Sequence, residues 1–87
     1  MIDVPLTGDM LTALKGADET PDALVPAIAG VKADGKGYVL SLSGNQAIAM
    51  TEMCEWHIRT DPNTGKVSAA TKVWDDIIRA VQQAEDQ

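Results

Sequence analysis

Apolar residues recur three and four positions apart in two long stretches of the chain, and alternate with polar ones in a shorter stretch before them. The first long stretch opens on Ser43-Gly44-Asn45-Gln46, a capping box in which the serine hydroxyl takes the Gln46 amide and the Gln46 side chain reaches back. A helix is therefore expected over about 44–60, ended by Pro62, whose ring disfavours helical geometry at Asp61. Asp61-Pro62-Asn63-Thr64-Gly65 is turn chemistry. Ser68 then caps a second long helix, about 69–85, in which Ala70, Val73, Trp74, Ile77, Ile78, Val81 and Ala84 keep helical spacing and Asp75 and Arg79 form an outer pair. The two long helices read as an antiparallel pair.

The earlier part of the chain is more broken. Thr7 caps a helix of about two turns that carries Met10, Leu11 and Leu14 on one side, with Leu6 and Leu11 as a hydrophobic staple and Gly16 as its stop. Thr20-Pro21-Asp22 starts another, which Pro26 is expected to end. From about 27 to 42 the period changes to alternation, and Asp34-Gly35 supplies the positive φ angles of a type I′ turn. A two-stranded hairpin follows, pairing Ala33 with Lys36, Val31 with Tyr38, Ala29 with Leu40 and Ala27 with Leu42. One face then holds Val31, Tyr38, Leu40 and Leu42, and the other Lys32, Gly30, Gly37 and Ser41, so a one-residue slip would bury the wrong face. Such a hairpin is marginal alone and needs a helix over it. The expected fold class is α+β in one domain spanning 1–87: short N-terminal helices, the hairpin and the helical pair.

Composition changes this picture in two respects. Of the 87 residues 45% are hydrophobic, but 12 residues are alanine and none is phenylalanine, so the core rests on Leu, Ile, Val and Met with two tryptophans and one tyrosine. The formal charge of −6, from 13 acids against 7 bases, repels a polyanion and argues against nucleic acid as a partner. Only the segment around Lys32, Asp34 and Lys36 is locally positive. One cysteine cannot close an intramolecular disulfide, Met-Ile-Asp-Val-Pro lacks the features of a secretory leader, and no apolar run approaches a membrane span. The cytoplasm is the expected compartment, with no membrane association.

Candidate chemistry is sparse. On the 44–60 helix an arc from Trp56 through Ala49, Thr60, Met53, His57, Met50, Cys54 and Ala47 to Ile58 covers about 200° at 100° per residue. That is wide enough for the central helix of the fold, or for a helix that also meets another chain. Glu52, Glu55 and Arg59 occupy the opposite side, Glu55 and Arg59 spaced as an ion pair, with Ile48 out of place among them. Cys54 and His57 share the arc three residues apart, yet they supply only two of the four ligands of a structural zinc site, and a helix interior gives a thiol no help in ionising. A buried thiol beside a core histidine is the favoured reading.

Gly30 to Lys36 imitates the outer spacing of a phosphate loop, but Gly37 stands where Ser or Thr should hold magnesium. Asp61, Asn63 and Gly65 imitate a calcium loop whose twelfth position is Lys72 rather than glutamate. Asp18, Glu19 and Asp22 sit near helix starts, where the dipole favours them.

No cofactor and no catalytic residue is expected, and with one histidine and one cysteine a complete active site is hard to assemble. The expected function is a non-catalytic protein interaction or regulatory module, and the alternative is a metal- or thiol-dependent site on Cys54 and His57. A domain this small can bury both Trp56 and Trp74, but with Ile48 and Ile78 added not all of these side chains fit inside one monomer. These four are the expected contacts to a protein partner or to a second copy in a two-fold dimer.

Overall fold

The computed structural model describes residues 1–17, 20–68 and 71–86. The element order is β1 (Ile2–Leu6), α1 (Gly8–Gly16), α2 (Val25–Ala29), β2 (Lys32–Asp34), β3 (Gly37–Leu42), α3 (Gly44–His57) and α4 (Lys72–Glu85). The class is α+β, but the sheet has three antiparallel strands in the order β1-β3-β2 rather than two. β3 lies at its centre. Its Leu40 and Leu42 are fully buried, and their partners across the sheet are Val4 and Ile2 of β1, with Leu6 opposite Tyr38. Directly opposed residues share a face, so these six side chains form one apolar layer. The other face carries Asp3 and Ser41, joined by a 2.8 Å hydrogen bond from the serine hydroxyl to the carboxylate, and Pro5 opposite Val39. Pro5 has no N–H to donate, which an edge strand tolerates.

The expected hairpin forms in a different register and with a shorter first strand. Lys32 pairs with Val39, Ala33 with Tyr38 and Asp34 with Gly37, so the tip is Gly35-Lys36 and each β2 residue meets a partner two positions later than expected. Gly35 has φ 60°, and Lys36 lacks the positive φ that a type I′ turn requires, which is the pattern of a type II′ turn. The register is pinned at Gly37, where a Cβ would stand 2.6 Å from the Leu6 carbonyl oxygen. Glycine alone lets β3 run that close to β1. Because the slip is two residues and not one, Tyr38, Leu40 and Leu42 keep the inward face expected for them.

Residues 25–29, assigned in part to the strand, are helical. Pro26 occupies the second position of α2 and so does not end a helix; there its missing N–H has no intrahelical partner to lose. Leu24 and Ile28, four apart, point into the core.

The caps of α1 and α3 are as the sequence dictates. In α1 the Met10 amide donates to Thr7 Oγ1 at 3.2 Å while the Thr7 amide reaches Met10 Sδ at 3.3 Å, a thioether standing where a capping box has Glu or Gln. In α3 the Gln46 amide donates to Ser43 Oγ and the Ser43 amide to Gln46 Oε1. Gln46 Nε2 goes further and donates to the Ala23 carbonyl at 2.9 Å, tying α3 to the segment before α2.

α3 stops at His57, three residues before the expected end at Thr60. The backbone beyond it turns back on itself: Thr60 bridges to Val67, the Asp61 amide donates to Lys66 O and the Ser68 amide to Arg59 O. An Asx turn at Asp61, with the Asn63 amide on Asp61 Oδ1, and Gly65 at φ 71° make the bend. These ribbon contacts replace the last helical turn. Thr71, not Ser68, holds the cap position of α4, and its hydroxyl accepts from the Arg59 amide at 3.1 Å. The expected first helical residues, Ala69 and Ala70, lie outside the described residues, as do Asp18 and Glu19.

α4 turns Trp74, Ile77, Ile78, Val81 and Ala84 inward and packs on α3, β1 and α1. His57 at the end of α3 meets Trp74 near the start of α4, and Glu85 at the end of α4 lines one cavity with Gly44 and Ala47 at the start of α3. The two helices are therefore antiparallel. Asp75 and Arg79 pair at 3.0 Å on the outer side, as do Lys72 and Asp76. No helix among the described residues is long and apolar enough to cross a membrane.

Candidate interaction surface on the third helix

Packing of α3 between the sheet and α4 uses less of its circumference than the sequence offers. Ala47, Met50, Met53 and Cys54 are buried, and at 100° per residue they span about 120°. Ala49 and Thr51 flank them half-buried, and Gln46 and His57, at the two ends of the helix, fall within the arc half-buried. Trp56 lies about 60° beyond Met53, past Ala49, and is 78% exposed, so the expectation that both tryptophans fit inside the monomer is corrected. The reason is on the neighbouring helix. Trp74, 8% exposed, stacks on His57 with ring centroids 4.3 Å apart, and with these rings in contact at the lower end of α3 Trp56 remains on the solvent side.

Of the four residues expected to contact a partner, Ile48 (61% exposed) and Trp56 stand on the surface of α3. Trp74 and Ile78 do not. Ile78 is only 9% exposed, because α4 meets α1 and β1 as well as α3 and its inward stripe is accordingly broad. Neither side chain offers the surface that an interface needs.

Trp56 borders a groove of about 410 Å³ lined by Pro21, Ala49, Met53 and His57, with Glu52 and Arg59 at its edge. Pro21 was not a candidate. It arrives from a segment far earlier in the chain, and the sequence signal that could have placed it is Gln46, whose side chain has a second amide hydrogen to give and finds Ala23 two residues on. The expected Glu55–Arg59 pair is replaced. With the helix ended at His57, Arg59 leaves the helical path, and its Nη1 donates to the carbonyl oxygens of Trp56 at 2.6 Å and Ile58 at 3.1 Å, satisfying groups that the helix terminus leaves open.

Cys54 and His57 face different surroundings. The Cys54 thiol is fully buried, and burial, with a smaller contribution from the Glu55 charge, pushes its pKa up to about 12. A thiol so placed is protonated at neutral pH and out of reach of solvent, whereas a metal ligand or nucleophile must be a thiolate. His57 lies half-exposed between Trp74 and the groove. Among the described residues no three His, Cys, Asp or Glu side chains converge to hold a metal ion. No protein-family model, no curated protein and no solved structure matches the chain.

Proposed function

We propose that the protein is a non-catalytic interaction module that engages a protein partner through the outer side of α3, with Trp56 as the anchor. The observation that carries this reading is the exposure of Trp56 on a capped, 14-residue helix whose opposite side is locked into the core. An indole buries a large area at small conformational cost, and tryptophan is among the residues that most often dominate protein interfaces. The groove beside it gives a partner side chain a place to sit, and Ile48, two turns back along α3, extends the contact. A buried, protonated Cys54 supports a non-catalytic role over a thiol-dependent one. The acidic composition favours a protein over a nucleic acid, and the single cysteine suits the cytoplasm.

The test is a photo-cross-linking residue placed at Glu52, with a second protein carrying it at Gln82 on the exposed side of α4. In cells of the source organism, the Glu52 probe is expected to capture a protein that the Gln82 probe does not, and Trp56→Ala is expected to abolish the capture. Identical captures from both positions, or capture indifferent to Trp56→Ala, would remove the reading.

A further inference from the structure

We infer that the partner of the α3 face is a basic segment of a different protein, and that a second copy of this chain is excluded from it; the inference rests on the docking role of Trp56 proposed above. The charge around the indole is what decides. Glu52 and Glu55 lie on the same side of Trp56, about 40° and 100° round α3 from it, and line one depression with it; neither carboxylate forms an ion pair among the described residues. Arg59 lines the same groove, but its guanidinium is held on the carbonyl oxygens of Trp56 and Ile58 and serves the helix terminus. An exposed aromatic face beside two unpaired carboxylates is the chemistry that receives a lysine or arginine side chain: the ring attracts the cation, the aliphatic stem packs on the indole and the carboxylates take the charge.

The same placement works against self-association. Ile48 and Trp56 lie four residues before and after Glu52. In a two-fold dimer of antiparallel α3 helices that sets Ile48 on Trp56 of the second copy, the two Glu52 side chains meet at the axis, each with Glu55 close by. Like charges at the centre of an interface are among the costlier ways to build one. Each copy also carries a formal charge of −6, so the approach is repulsive before contact.

Short random peptides displayed on phage and selected on the immobilised full chain, with Trp56→Ala protein for counter-selection, test this directly. Trp56-dependent binders are expected to carry net positive charge and to weaken about fivefold on the Glu52→Gln, Glu55→Gln double variant, the difference shrinking as salt is raised. All three substitutions lie on the solvent side of α3, and melting temperatures equal to the parent's establish that the variants are folded. Trp56-dependent binders that are neutral or acidic, or that ignore the double variant, would overturn the charge inference and leave the docking role standing. Selection that yields no Trp56-dependent binder would overturn both. Light scattering supplies the last arm: a monomer at all concentrations is expected, and a dimer that Trp56→Ala returns to monomer would show that a second copy fits where it is excluded here.

Discussion

The imidazole of His57 lies flat on the indole of Trp74, planes 14° from parallel, and this contact closes the joint between α3 and α4 at the end where the chain has just left one helix and is about to enter the other. It also separates the roles of the two tryptophans. Removing Trp74 opens a large hole beneath the stack and is expected to cost about 3–5 kcal/mol in urea or thermal unfolding. Removing Trp56, which sits in solvent, is expected to change stability by about 0.5 kcal/mol or less. His57→Ala should fall between them, near 1 kcal/mol, as the loss of one stacked pair. Acrylamide quenching of the Trp74→Phe and Trp56→Phe proteins reads the same division, with the indole left in the first far more accessible than that left in the second.

Cys54 gives the fold a pH dependence with a defined sign. Its thiol ionises near 9.0 in the ordinary state and is pushed up to about 12 in the folded one, mainly by burial and next by Glu55. A group whose folded pKa is raised contributes its full share below the unfolded value and loses it as pH climbs toward the folded value. Stability should therefore hold up to about pH 9 and then fall by at most about 1.4 kcal/mol per pH unit from this residue. Cys54→Ala should flatten that limb of the curve while lowering stability at neutral pH. In the native protein a thiol reagent is expected to react only as fast as the chain opens.

Two glycines of the hairpin should respond differently to alanine. Gly37→Ala sets a methyl group 2.6 Å from the Leu6 carbonyl oxygen, a backbone atom that cannot turn aside. The β1–β3 pairing must spread, at a cost of about 1–3 kcal/mol. Gly35→Ala meets open space but keeps a φ of 60°, a left-handed conformation that costs about 1 kcal/mol once a Cβ is present. Unfolding curves will rank the two, and amide exchange in β1 should rise only for Gly37→Ala.

At the start of α3, Ser43→Ala removes the acceptor for the Gln46 amide and should cost about 1 kcal/mol. Gln46→Ala removes the reciprocal bond to the Ser43 amide and the one to Ala23. Its effect should therefore extend to the segment before α2, visible as faster exchange of amides there, which Ser43→Ala should leave largely unchanged.

What the sequence made legible is what short stretches of chain decide among themselves. The Ser43 box, the inward stripe of α4, the Asp75–Arg79 pair and the turn at Asp61 depend on residues a few positions apart. β1 does not: Ile2, Val4 and Leu6 alternate, but only a partner strand about 36 residues away makes that alternation a strand, and a proline within so short a run disfavours a strand by local pattern. Pro26 is ambiguous for a related reason, since the same ring breaks a helix from within and suits its first turn. The side of α3 on which Trp56 lands was beyond local pattern altogether. It depends on Trp74 reaching His57 from another helix, on Arg59 leaving the helical path, and on Pro21 arriving to wall the groove.

The order of the sheet, with the last-made strand in its middle, sets a schedule for synthesis. At 5–20 residues per second, Leu6 emerges from the ribosome roughly 2 to 7 seconds before Leu42 does, and until then β1 has no strand to pair with. For that interval Ile2, Val4 and Leu6 are a short apolar ribbon in open water. Asp3 and Pro5 alternate with them, a charge and a missing donor in the ribbon itself, and both discourage a passing chain from pairing with it. Asp3 and the proline that a strand tolerates only at an edge are thus what let β1 wait for β3.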